Sequence, residues 1–271
     1  MKKLLNIIIA IIAILTITGC NNASETTIRV IATSIPHGEI LEVVRAELEE
    51  QGYQLEVTIT SDYYFPNPSV AAGDADANFF QHVPFLNLYN SENSDKPLVI
   101  GAYVHIEPIG IYSNDYTSLD QVQDGDTVLI SNSTADHGRI LKLFEDAGLI
   151  TLVDTFDVLS SDIIIEEAIA QNPLNLVFQA NVAPDFMFSA YSNQEADLYV
   201  INSNYALEGG INPIDTAIFL ESTVDNPYVN ILALNEADLE LDKIKALIAA
   251  LNSDAVKDYI NETYNGSVIP A

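Results

Sequence analysis

Apolar and polar positions change period several times along the chain, and each change marks an element. Leu4–Ile17 is a largely apolar run behind Lys2 and Lys3, and it ends in Ile17-Thr18-Gly19-Cys20. A basic start, a short apolar stretch and a small residue before the cut describe a secretory leader over 1–19, too short for a comfortable membrane span. The polar stretch that follows, 20–27, reads as a tether. Ile28–Ala32 then predicts a buried first strand, and Ile40, Leu41, Val44 and Leu48 recur at helical spacing until Gly52 stops the helix. Leu55, Val57 and Ile59 alternate with polar residues as a second strand should. A short helix over Pro68–Ala72, a strand through Ala77–Phe80, a helix over Pro84–Ser91 and a strand over Leu98–Val104 continue the series. This alternation predicts an α/β unit with a mostly parallel sheet and helices on its faces.

His105–Tyr112 stays extended past Pro108, as a crossing between two units would, and a second alternation begins beyond it. Strands are predicted at Thr127–Ser131, Leu176–Phe178, Leu198–Ile201 and Tyr228–Ala233. Helices are predicted at Asp136–Ala147, Ile163–Ala170, Pro184–Ala190, Leu239–Leu251 and Ser253–Tyr264. Two α/β lobes, each beginning with a strand, fit this series better than one large sheet.

Charge narrows the function. The formal net charge is −29, and removal of Lys2 and Lys3 with the leader takes it to −31. Phosphate recognition needs clustered Lys and Arg, so nucleic-acid binding is excluded. Cys20 is the only cysteine, which rules out an intramolecular disulfide and a second thiol for chemistry.

Candidate chemistry gathers in a few places. No serine-nucleophile elbow, phosphate loop or His-Glu-x-x-His motif is present, so the chain reads as a non-enzyme with no cofactor. His37, His82, His105 and His137, with Glu39 or Glu107, leave a divalent metal site as an alternative, although none are at close ligand spacing. Gly73–Phe85 carries Phe79, Phe80 and Phe85 around His82, in a strand that ends just before a helix; open α/β sheets place ligands at such points. Arg139 is one of three arginines and sits in the first turn of a predicted helix, where a cation is unfavourable unless an anion joins it. Its guanidinium beside free N–H groups suits a carboxylate.

Several stretches together resemble a known family. The Ile-Thr-Gly-Cys ending resembles a bacterial lipobox. With it go Pro36-His37-Gly38-Glu39-Ile40-Leu41, Asp62-Tyr63, Gly73-Asp74-x-Asp76-Ala77-Asn78-x-Phe80-Gln81-His82 and Val104-His105-x-Glu107-Pro108. Asn132, Gly138-Arg139, Val200-Ile201-Asn202-x-x-Tyr205-Ala206 and Pro227-Tyr228-Val229-Asn230 complete the set. These resemble the methionine-binding lipoproteins of ABC importers, the NlpA/MetQ family, over nearly the whole length. The resemblance implies a two-lobed type II periplasmic-binding-protein fold, with lobe one at 28–110 plus 208–271, lobe two at 111–207 and a ligand cleft between them. It implies a side-chain pocket of Tyr63, Phe80, His82 and Phe85, a ligand carboxylate on Arg139, and polar contacts from Asn202 and Asn230. The implied partners are methionine or a related small ligand, an ABC permease with its ATPase, and the outer face of the cell membrane through lipid on Cys20.

One stretch departs from the family. Its members usually carry Asn-Asp-Pro-Thr-Asn ahead of Gly-Arg, where this chain has Asn132-Ser133-Thr134-Ala135-Asp136-His137. Of three roles open to Asp136, pairing with the ligand's ammonium, pairing with Arg139 or capping the helix, capping, a common role of Asp, is the one expected. The lipobox reading is checked directly: Cys20→Ala should abolish acyl labelling and release the protein from membranes, and persistent labelling would defeat it.

Overall fold

The computed structural model describes residues 25–271, so the leader and Cys20 lie outside the described residues. Among the described residues, no helix is long and apolar enough to cross a membrane. The strands are β1 (Thr27–Ala32), β2 (Gln54–Ile59), β3 (Ala77–His82), β4 (Leu98–Ile106), β5 (Gly110–Tyr112), β6 (Thr127–Ser131), β7 (Thr151–Leu152), β8 (Ile169–Gln171), β9 (Val177–Val182), β10 (Leu198–Ile201), β11 (Phe219–Leu220), β12 (Val229–Asn235) and β13 (Ile269–Pro270). The helices used below are α1 (Glu39–Glu50), α2 (Pro66–Ala72), α3 (Val83–Glu92), α4 (Thr134–Asp146), α5 (Ser203–Glu208), α6 (Asp242–Leu251) and α7 (Asp254–Tyr264).

Two sheets organise them. Lobe one has the order β13-β4-β12-β3-β1-β2 and lobe two β11-β5-β10-β6-β9, with β7 and β8 forming a separate ribbon. The sheets are mixed instead of mostly parallel. β1 runs parallel to β2 and β3, but β12 is antiparallel to both β3 and β4, and β5 is antiparallel to β10 and β11. The reversals fall on the strands beside the two chain crossings. These enter a sheet without a packed crossover helix, and only such a connection keeps successive strands parallel.

Packing follows the apolar periods. Ile40, Leu41, Val44 and Leu48 form the buried stripe of α1, and they join Val30, Leu232, Leu247 and Ile260 in a core on one face of sheet one. Val70, Leu86, Ile231 and Ala233 cover the other face. With both faces covered, β3 is buried at every position. A further aromatic cluster spans the lobes, placing Tyr63, Phe80 and Phe85 with Tyr112, Tyr199 and Tyr205.

The outgoing crossing is Glu107–Ile109, between β4 and β5, where the extended Pro-containing stretch predicted one. The return differs from the expected break at 207/208. β11 pairs with β5 in sheet two, so the chain recrosses only after Leu220. This strand is two residues long and leaves almost no alternation to read. The expected helix over Ile163–Ala170 is one turn, Ile165–Ala168, followed by β8; a run of β-branched isoleucines favours extended backbone.

Gly138, inside α4, fixes how closely that helix approaches its neighbour. A Cβ there would sit 2.0 Å from the Val158 carbonyl oxygen. Gly138→Ala should therefore destabilise the fold by about 1–3 kcal/mol despite the better helix propensity of alanine. Urea denaturation measures this, and an unchanged midpoint would contradict the tight approach.

Candidate functional site

Strand register assembles the lobe-one side of the cleft. Asn230 of β12 pairs with His82 on β3 and with His105 on β4, so three polar side chains stand in one row at the end of the sheet. His82 is also the N-cap of α3, and its Nδ1 accepts from the Phe85 N–H at 3.2 Å. Its Nε2 therefore carries the proton and donates to Asp136 Oδ1 at 3.0 Å, across the cleft. Just behind this lie the rings. Tyr63, Phe80 and Phe85 have centroids 5.7–6.0 Å apart in tilted or edge-on contacts, the geometry aromatic rings prefer. The Tyr63 hydroxyl donates to Asn204 Oδ1 on α5 at 2.6 Å.

Lobe two contributes Arg139, 3% exposed. Its Nε donates to Glu221 Oε1 at 3.1 Å, and its Nη2 to Glu221 Oε2 at 2.5 Å and to the Glu107 carbonyl at 3.0 Å. The guanidinium also lies 4.4 Å over the Tyr228 ring. Burial opposes its charge, but Glu221 and Asp136 outweigh that and raise its pKa. The Nε/Nη2 edge suited to a bidentate ligand carboxylate is thus taken by Glu221. Nη1 remains, 3.7 Å from Asp136 Oδ1.

Asp136 does not cap its helix. Ser133 occupies the N-cap, and the Asp136 carboxylate instead accepts from His82 and, at 3.4 Å, from Asn202 Nδ2. Burial alone would lift its pKa; the His82 hydrogen bond, the Arg139 charge and the Asn202 amide hold it at about 2. His137, on the same turn, bonds the Ser131 carbonyl oxygen and takes no part in the cleft.

A buried triad stands behind Asn230. His105 Nε2 lies 2.7 Å from Glu107 Oε1 and His37 Nε2 3.4 Å from it, while His37 also bonds Asn230 Oδ1 at 3.1 Å and Thr33 Oγ1 at 2.7 Å. Their ligand-type atoms lie within 4.8 Å of one another, so the alternative of a metal centre does find a His-His-Glu group in the fold. His82 and His137 are not in it. Burial pulls His37 down to about 4 and His105 to about 3, and it raises Glu107. Neutral His105 therefore donates to the Glu107 carboxyl group, while neutral His37, accepting from Thr33 at Nδ1, donates its Nε2 proton to Asn230 Oδ1 and packs beside that carboxyl group.

All seven residues singled out for ligand contact — Tyr63, Phe80, His82, Phe85, Arg139, Asn202 and Asn230 — line a single interlobe cavity. Its empty space is about 360 Å³ including the mouth, and the His82–Asp136 and Tyr63–Asn204 bonds hold the lobes together across it. Gln81, Ile109, Ser203 and Asn204 line it too, as does Glu107, which had been singled out only as a metal ligand. Gln81 and Glu107 stood inside the quoted motifs, and Asn204 two residues after Asn202; nothing in the pattern of Ile109 or Ser203 marks either. A second cavity of about 650 Å³ adjoins it, sharing Tyr63 and Phe85 and bounded by Leu88, Tyr89 and Asn132–Thr134.

The NlpA lipoprotein family profile matches residues 28–271. The chain belongs to this family. Among NlpA-family relatives, it is 42% identical to the methionine-binding lipoprotein MetQ of Bacillus subtilis, covering 100% of this chain and 99% of that one. It is 32% identical to the D-methionine-binding lipoprotein MetQ of Escherichia coli K12, over 96% of this chain and 94% of the relative. A nutrient-binding protein from Burkholderia cenocepacia, solved bound to methionine, superposes with a TM-score of 0.83 at 31% identity, covering 90% and 99% of the two chains. These neighbours share the two-lobed architecture.

The buried histidines predict an acid response. Both are neutral in the fold and protonate near pH 6.5 once unfolded, so acid favours the unfolded chain. Stability is full above that pH and should fall by about 2 kcal/mol per histidine by pH 5. Asp136 acts later, losing its contribution only as pH drops below about 4 toward 2. Urea denaturation of the wild type and of His105→Asn should show a shallower decline between pH 6.5 and 5 in the variant. Parallel curves would contradict the burial of a neutral His105.

Proposed function

We propose that this chain is the lipid-anchored, extracytoplasmic substrate-binding component of an ABC importer. It binds methionine, L- or D-, or a close derivative such as a methionine dipeptide, and delivers it to a permease driven by a cytoplasmic ATPase. It is a binder and not an enzyme. The observation that carries this reading is the single cavity with rings from lobe one at one end and Arg139 from lobe two at the other. The methionine-bound relative supports the same ligand class.

The physics suits a thioether amino acid. Sulfur is polarizable and packs against ring edges for roughly 0.3–1.5 kcal/mol per contact, and Tyr63, Phe80 and Phe85 supply those edges. The charged end of the ligand then faces Arg139, Asn202 and Asn230. Because these groups belong to opposite lobes, the ligand contacts both only when the cleft is closed. That difference is what a population shift toward the closed form requires. The bonds across the cavity imply that entry needs the lobes to part, and the His82–Asp136 bond is one contact that breaks when they do.

A second reading rests on the His37–His105–Glu107 triad, which has the donor set of a zinc or manganese site. Calorimetry on protein unfolded and refolded to remove carried-over ligand separates the two. Heat with methionine and none with Zn²⁺ or Mn²⁺ is expected; tight metal binding with no response to any methionine species would replace the importer-of-methionine reading. Phe85→Ala should weaken methionine binding by about 1–3 kcal/mol, and a change under about threefold would remove the aromatic end from the site.

A further inference from the structure

Charge in the cleft is lopsided. Among the described residues that meet there, Arg139 is the one cation, and three carboxyl groups surround it. Glu221 takes its Nε and Nη2, Asp136 lies 3.7 Å from its Nη1, and Glu107 forms part of the cavity wall. Glu221 alone neutralises the guanidinium. Asp136, 1% exposed, is therefore an additional buried negative charge. Its direct partners are His82, whose Nδ1 accepts a backbone N–H and so leaves the ring neutral, and the amide of Asn202. A free amino acid brings one positive and one negative group into this field. The positive group is attracted, and the negative group meets a cation already paired.

A second observation concerns the other end of the ligand. Asn204 is 2% exposed and lines the cavity; its Oδ1 is taken by Tyr63, and its Nδ2 has no hydrogen-bond partner. A buried unpaired donor is costly, and a ligand oxygen would satisfy it. Such a neutral donor serves an amide oxygen as readily as a carboxylate oxygen.

We propose that this cleft selects its ligand by a free α-ammonium, held in the field of Asp136 and Glu107, and that a ligand carboxylate is dispensable because Glu221 has already compensated Arg139. Amino-acid amides, and amino acids joined through their carboxyl group to a further neutral unit, are then ligands of the same standing as the free amino acid. Asp136 is the specificity-determining residue. The proposal rests on the methionine-binding reading and adds the charge rule by which the site ranks ligands.

Calorimetry on the full chain in detergent, with L-methionine, L-methioninamide and N-acetyl-L-methionine, tests it. The amide should bind within about threefold of methionine, and the N-acetyl compound about 100-fold or more weaker, the loss expected when a desolvated charge pair is broken. In Asp136→Asn, which preserves shape, methionine should outbind the amide by about tenfold or more. Wild-type protein that binds methionine about 30-fold tighter than the amide overturns the charge rule and leaves methionine binding intact. An unchanged ligand ranking in a folded Asp136→Asn protein overturns the role of Asp136. Failure of all three ligands overturns the methionine reading itself. The wild-type ratio needs no variant, so a poorly folding Asp136→Asn protein does not protect the proposal.

Discussion

Burying one guanidinium between two lobes constrains the rest of this molecule. A charge taken out of water is costly unless it is paired and its donors are satisfied. Arg139 meets that condition only by drawing in groups from distant parts of the chain. Glu221 comes from beyond β11, the Glu107 carbonyl from the outgoing crossing and the Tyr228 ring from the returning one. The two crossings are thereby held beside α4, while Gly138, next to Arg139, lets the Val158 segment pack closely against that helix.

The same contacts tie the lobes together. His82 reaches across to Asp136, Tyr63 to Asn204, and Tyr205 to the Ser61 carbonyl. Each is polar and buried or nearly so, and each must find water or a ligand when the lobes separate. A closed form held by such bonds, with a cavity behind them, is one that a ligand can stabilise by replacing water at groups otherwise left unpaired. The neutral histidines and Glu107 form a backing to this arrangement, because burial keeps the imidazoles uncharged and their single N–H groups go to fixed acceptors, His105 to Glu107 and His37 to Asn230.

Much of the fold was legible because its elements follow simple periods. The stripe of α1, the alternating β2 and the covered β3 read directly from apolar spacing. The elements that escaped are short: β7, β8, β11 and β13 have two or three residues each and exist through their partners rather than through any local pattern. The mixed direction of the sheets could not be read either, since strand direction depends on where the chain crosses. At the cleft, the side chains inside recognisable motifs converged as expected. What stayed hidden was who satisfies whom. Nothing in the spacing shows that Glu221, 82 residues from Arg139, takes the edge of its guanidinium, or that Asp136 answers His82 instead of capping α4.

The central claim is that a methionine-class ligand lies between the aromatic end of lobe one and the charged end of lobe two. A crystal structure of the protein grown with L-methionine tests it most directly. The account predicts ligand density between the Phe80–His82 segment and Arg139, with the sulfur against the Phe80 and Phe85 rings. Density confined to the adjoining cavity, or a metal ion among His37, His105 and Glu107 with the cleft empty of methionine, would contradict it.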